Sequence, residues 1–371
     1  MLILKGDISK MNIKRILSGI LTTCVLSASF LSALPVSAQT TTKGAYTQVA
    51  AEQQNNLQTA DSSTNEFVIN NKKDFSKFMT TPEYWESNYK IMLACNIDMQ
   101  DEVFDSIEIF NGQIDGCGHA VNNLSFRYFV ENNHGTISNI KFNGGKLAGG
   151  NVCGLVLNNE EDGVIDSCLM GMNNENANIK AGFVWENRGK IINSETTLSV
   201  ESGNDYVGGF VSKNYGTIEN CVAKGFVEGK ERFVGGFVGL NNGIITNCTS
   251  TGNVNGGKSY IGGFVGDNGD EEGKGIIINC TAAGDVKGDI YTGGFVGKNE
   301  YGNISGCIAK GDVHKRICAL GYEGFCLGGF AGYNYGIIKE CITNAKVNGK
   351  KINLNNFAGR NEGKIEDCKI A

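Results

Sequence analysis

The chain has 371 residues with 52 glycines, 2 prolines, 13 cysteines and 19% charged residues, so glycine is about twice its usual share while proline is almost absent. This composition excludes a proline- and charge-rich disordered chain, and glycine does not fall at every third place as in collagen. A formal net charge of −6 gives no electrostatic reason to expect nucleic acid or an anionic membrane surface as partner.

Residues 1–38 read as an export signal: a basic start at Lys10, Lys14 and Arg15, an apolar run from Ile16 to Leu34, and small residues at Val36, Ser37 and Ala38. Cleavage is expected before Gln39, and Met11 is a candidate for the true start. A membrane anchor is the alternative, but Thr22, Thr23, Ser27, Ser29 and Ser32 interrupt the run. Removing the segment takes Lys5, Lys10, Lys14, Arg15 and Asp7 with it, leaving an exported chain of net charge −9. No second apolar run of spanning length follows, so the mature chain is expected to lack a transmembrane helix and to be secreted, with possible attachment at the cell surface. Residues 39–65 have linker composition.

Residues 66–125 are expected to form an N-terminal cap and first strands, because the open end of a strand stack recruits other chains unless it is covered. From there to residue 371 a repeat decides the fold. Gly135, Gly163, Gly189, Gly216, Gly243, Gly275, Gly302, Gly336 and Gly363 open the same phrase, as in Gly216-Thr-Ile-Glu-Asn-Cys221, at steps of 26 to 28 residues apart from two of 32 and 34. Each 27-residue unit holds three short runs rich in Val, Ile, Phe and Thr, separated by Gly and Asn, which is strand-and-corner chemistry. Such a unit cannot bury its own apolar face, whereas stacked copies pair their strands in parallel around a continuous core. The expected fold is an all-β parallel β-helix of about nine coils over residues 126–371, about 43 Å long at 4.8 Å per coil.

Stacking turns repeat positions into columns. Phe183, Phe210, Phe237, Phe264, Phe295, Phe330 and Phe357 form one, preceded by Leu155. Cys168, Cys221, Cys248, Cys280, Cys307, Cys341 and Cys368 form a second, with Ser194 substituting once. Both are expected inside, the thiols free. Asn133, Asn187, Asn214, Asn241, Asn334 and Asn361 suit a corner, their amides bonding to the next coil's backbone, with Asn268 and Asn299 slightly displaced. Tyr206, Phe233, Tyr260 and Tyr291 share the parity of the Phe column, so strict alternation buries both sets and exposes Val207, Val234 and Ile261. A glycine bulge would instead turn the aromatic stripe outward as a candidate ligand-binding strip.

The phrases Gly235-Gly-Phe-Val-Gly239, Gly262-Gly-Phe-Val-Gly266 and Gly293-Gly-Phe-Val-Gly297 resemble the GLUG motif, a repeat of bacterial secreted and surface proteins that include adhesin-like proteins and the N-terminal parts of immunoglobulin A metallopeptidases. The resemblance covers roughly residues 135–371. It implies a right-handed β-helix, a bacterial source and an extracellular role.

Chemistry is scarcer. The only histidines, His119, His134 and His314, form no zinc-protease motif, and no nucleophile elbow or phosphate loop stands in a suitable setting. Asp285 and Asp312 occupy the same phrase on neighbouring coils, with Asn253 below. Their spacing of about 5 Å would suit a polysaccharide-degrading carboxylate pair, or simply two solvated surface groups. Asp267, Asp270, Glu271 and Glu272 form an acidic insertion in which calcium is conceivable, but no metal or cofactor is expected. Cys318 and Cys326 are the candidates for a loop-closing disulfide. The reading that follows is a non-enzymatic β-helix binding glycan, matrix or cell-envelope material. The alternatives are an enzyme using Asp285 and Asp312, or a spacer that associates end to end through an uncapped C-terminal coil. The insertions 268–274 and 315–327 are further candidate binding loops.

Overall fold

The computed structural model describes residues 64–147, 152–173, 179–271, 274–316, 326–351 and 356–371. The expected export signal, residues 1–38, and most of the expected 39–65 linker lie outside these residues. What is described is a β-solenoid of about ten turns, built from parallel sheets of twelve, eleven, ten, seven and seven strands. Among the described residues one strand pair departs from this order: Lys346–Val347 meets Lys350–Lys351 antiparallel.

An isoleucine ladder forms the spine of the twelve-stranded sheet. Ile91, Ile114, Ile137, Ile165, Ile191, Ile218, Ile245, Ile277, Ile304, Ile338 and Ile365 are register partners on successive turns. All but Ile365 are buried. A β-branched chain fits a pleated, covered surface, and each copy shields the next. The ladder also shows that turns begin upstream of Gly135, at Tyr89–Leu93 and Gln113–Asp115. These early turns are shorter than 27 residues and take no part in the two seven-stranded sheets, so they lack the Gly-Gly-Phe-Val-Gly phrase.

The helix Lys72–Thr80 buries Phe75, Phe78 and Met79 in the same core as Ile91 and Phe110. Phe78 lies 6.5 Å from Phe110 and 6.3 Å from Phe129, ring to ring. Asn71 caps the helix, its side chain accepting from the Asp74 amide, and Trp85 Nε1 donates to the Phe78 carbonyl. One amphipathic helix thus covers apolar surface at the first turns.

The expected columns are ladders. Phe183 to Phe357 stack with centroids 4.6–4.9 Å apart and planes within 15°. In the cysteine column the amide of each coil donates to the sulfur of the next at 3.3–3.4 Å, from Ser194 through Cys341. The thiols are free, and Cys168 to Cys341 are buried; burial pushes the Cys168 thiol up to about 12.

The asparagine column is more regular than its spacing suggests. Asn133, Asn159, Asn187, Asn214, Asn241, Asn268, Asn299, Asn334 and Asn361 pass one bond along the stack, each Nδ2 donating to the next Oδ1 at 2.7–2.9 Å. Asn268 and Asn299 sit in register, not displaced, because the extra residues come after each of them and before the next strand, at Ile276 and Asn303. The partners are side chains of the next coil together with a carbonyl at the same corner, such as Gly243 for Asn241, rather than the next coil's backbone alone.

Candidate functional site

Tyr206, Phe233, Tyr260 and Tyr291 lie on the outside of the stack, half-buried, while Val207, Val234 and Ile261 point in and are fully buried. The cause is backbone conformation. Each aromatic has a left-handed φ, at 61°, 62°, 63° and 54°, which breaks the in-out alternation one residue before the buried Val207, Val234, Ile261 and Thr292. Left-handed backbone is unusual for a bulky residue, and the next coil makes room for it. A Cβ on Gly239, Gly266, Gly297 or Gly332 would stand 2.7, 2.5, 2.3 or 2.3 Å from the carbonyl carbon of Tyr206, Phe233, Tyr260 or Tyr291. The last glycine of the Gly-Gly-Phe-Val-Gly phrase is therefore the seat on which the previous coil's aromatic residue rests.

The rings form a ribbon. Centroids are 4.8 Å apart from Tyr206 to Phe233, 5.0 Å to Tyr260 and 5.4 Å to Tyr291, with planes within 12°. Tyr333 continues it 5.1 Å from Tyr291, and Tyr335 meets Tyr333 edge-on at 4.6 Å. Near-parallel rings this far apart are offset-stacked, so each overlaps the next like a shingle and keeps an edge uncovered. The ribbon runs about 20 Å along the stack. Tyr333 was not foreseeable from the stripe's spacing: Cys326 takes the stripe position on that coil, and the ring comes from the adjacent strand Ala331–Asn334.

Cations line the ribbon. Lys213 Nζ lies 5.1 Å from the Tyr206 centroid, Lys298 Nζ 5.5 Å from Tyr260, and the guanidinium carbons of Arg232 and Arg360 lie 5.5 and 5.1 Å from Phe233 and Tyr333. Asp205 holds Arg232 at 2.8 Å, and Glu300 holds Lys298 at 2.5 Å. Burial pushes the Tyr206 and Tyr260 hydroxyls up, so both stay neutral donors at physiological pH. The surface can offer aromatic edges, phenol hydroxyls and ammonium or guanidinium donors to a polar ligand.

The other candidates fall elsewhere. Asp285 and Asp312 serve a corner ladder: Asn253 Oδ1 accepts from the Asp285 amide, Asp285 Oδ1 from the Asp312 amide, and Asp312 Oδ1 from the Lys346 amide, at 2.8–2.9 Å. One oxygen of each carboxylate is thus committed to joining coils. Asp267 is buried beside the ribbon, whereas Asp270 accepts from Asn242 Nδ2, and Glu272 lies outside the described residues. No group of three or more His, Cys, Asp or Glu suited to a metal ion occurs among the described residues. Cys318 also lies outside them, so its pairing with half-buried Cys326 has no structural description. Among the described residues no helix is long and apolar enough to cross a membrane.

Comparison with known families finds the GLUG motif in four segments, residues 203–227, 234–255, 257–287 and 288–313. These segments carry Tyr206, Tyr260 and Tyr291, and Phe233 stands one residue before the second. No curated protein and no solved structure matches the chain.

Proposed function

We propose that this GLUG-repeat β-helix is a non-enzymatic protein, secreted or held at the cell surface, that binds glycan or other extracellular or cell-envelope material through its ribbon of outward aromatic rings. The observation that carries this reading is the ribbon itself: four half-buried rings, Tyr206, Phe233, Tyr260 and Tyr291, kept outside in left-handed backbone although the core accepts a parallel phenylalanine column one strand away. Half-exposed rings set beside lysine and arginine suit sugars, whose apolar C–H faces and many hydroxyls need both kinds of contact. The repeat spacing favours a repeating ligand, since successive rings present the same groups about every 5 Å and contacts add along the chain.

The commitment of Asp285 and Asp312 to corner bonds favours this reading over the polysaccharide-degrading one. The test is to incubate the purified protein with a panel of glycans and matrix proteins and to record, from the same wells, both retained protein and released fragments. Retention without release is the expected result. Release of sugar fragments would overturn the non-enzymatic reading, and retention nowhere on the panel would count against the ribbon as a glycan site.

A further inference from the structure

Asp267 and Lys298 are register partners on successive coils, directly beside the aromatic ribbon. Their side chains are 6% and 16% exposed, and Lys298 Nζ stands 3.9 Å from Asp267 Oδ2. The same Nζ is 2.5 Å from Glu300 Oε2. Asp267 Oδ1 is buried and has no hydrogen-bond partner. Neighbouring positions offer little further charge: Leu240 precedes Asp267 in the column and Tyr333 follows Lys298.

A buried carboxyl with an unsatisfied oxygen is costly, and an ammonium 3.9 Å away, beyond hydrogen-bond range, offsets that cost only in part. What the arrangement does supply is an amine, a carboxyl carbon within its reach, and a second carboxylate already on the amine. We propose that Lys298 and Asp267 condense to an intramolecular isopeptide bond, with Glu300 as the proton-transfer group, so that two successive coils become covalently joined.

The step balances without any co-reactant. Asp267 takes a proton from solvent to become the neutral acid. The Lys298 ammonium passes one proton to Glu300, and the freed Nζ lone pair attacks Asp267 Cγ. The tetrahedral centre expels its hydroxyl together with a second nitrogen proton as water, leaving the amide, and Glu300 returns its proton to solvent. Nothing is oxidised or reduced.

Electrostatics favour one partner and slow the other. Burial pushes the Asp267 carboxyl up to about 7, with Lys298 opposing the shift, so much of it is the neutral acid at physiological pH. Burial pulls Lys298 down, but Asp267 and then Glu300 outweigh it, and the net direction is up. The neutral amine is therefore rare and the reaction slow. It has to occur only once per molecule, with both groups held at high effective concentration. The bond would close residues 267–298 into a loop that contains the 268–274 insertion, where the stack departs from its 27-residue period. The inference is independent of which ligand the ribbon takes.

Digestion of the purified full chain and mass analysis of the peptides test it. The expected product is a branched peptide joining the Asp267 and Lys298 segments, lighter by one water than the two linear peptides together. Lys298→Arg keeps the charge and should yield only the linear peptides from a chain whose circular dichroism is unchanged. Glu300→Gln should leave most molecules unjoined. If the wild-type chain, incubated folded for days, yields only the two linear peptides, the proposal is wrong. It is equally wrong if the branched peptide survives Lys298→Arg.

Discussion

The amide of Cys168 donates to the Ser194 hydroxyl at 3.1 Å, and the amide of Ser194 donates to the Cys221 sulfur at 3.4 Å. The one serine in the cysteine column thus carries the ladder across its coil without a gap. Ser194 Oγ also donates to the Ile192 carbonyl at 2.8 Å, the bond that each column thiol makes to the carbonyl two residues before it. What the position requires is a small group that accepts from one side and donates to the other.

Cys248→Ser should therefore cost less than about 1 kcal/mol, whereas Cys248→Ala leaves the buried Cys221 amide without an acceptor and should cost about 1–3 kcal/mol. Urea unfolding of both variants checks the order. Equal losses would mean that the sulfur fills volume and its acceptor role carries no weight.

Asn241 stands in the middle of the amide ladder, accepting from Asn214 and donating to Asn268, both at 2.8 Å. Replacing it with Leu leaves an unpaired donor on one neighbour and an unpaired acceptor on the other, each fully buried. The expected loss is about 2–4 kcal/mol, from two orphaned polar groups. Asn361→Leu, on an exposed corner, orphans one donor and should cost clearly less. Denaturant titration, with m-values compared to detect partial unfolding of the array, reads the difference.

Gly266→Ala places a methyl 2.5 Å from the Phe233 carbonyl carbon. Backbone on both coils must move, so a loss of about 1–3 kcal/mol is expected, together with disorder of the ribbon around Phe233. Gly203→Ala meets nothing within 4 Å and should be nearly neutral. Thermal melts of the two variants, with near-ultraviolet circular dichroism reporting on the stacked rings, make the comparison.

The parts of this fold that sequence shows are those that recur in phase. Phe237 and Cys248 stand in columns because identical residues return every 27 positions, and only parallel stacking gives such a repeat a core. Ile91 and Ile114 escaped notice because their turns are shorter and lack the glycine phrase, although the isoleucine ladder is longer than the Phe, Cys and Asn ladders among the described residues. Asn159 escaped because it stands four places before its repeat glycine, Gly163, where Asn187, Asn214 and Asn241 stand two before theirs. The outward turn of Tyr260 depends on a positive φ that nothing in a tyrosine announces; the signal is Gly297, one coil later. The nearness of Asp267 to Lys298 depends on an exact register across a 31-residue step, which the insertion conceals until the strands are paired.

The most direct test of the binding reading is retention of the Tyr206→Ser, Tyr260→Ser double variant on whichever glycan or matrix surface holds the wild-type chain. Both rings are half-exposed and outside the core, so the variant should fold with an unchanged far-ultraviolet spectrum. Loss of two stacked contacts, at roughly 1 kcal/mol each, should weaken binding at least tenfold. Retention equal to wild type by the folded double variant would contradict the ribbon as the binding surface.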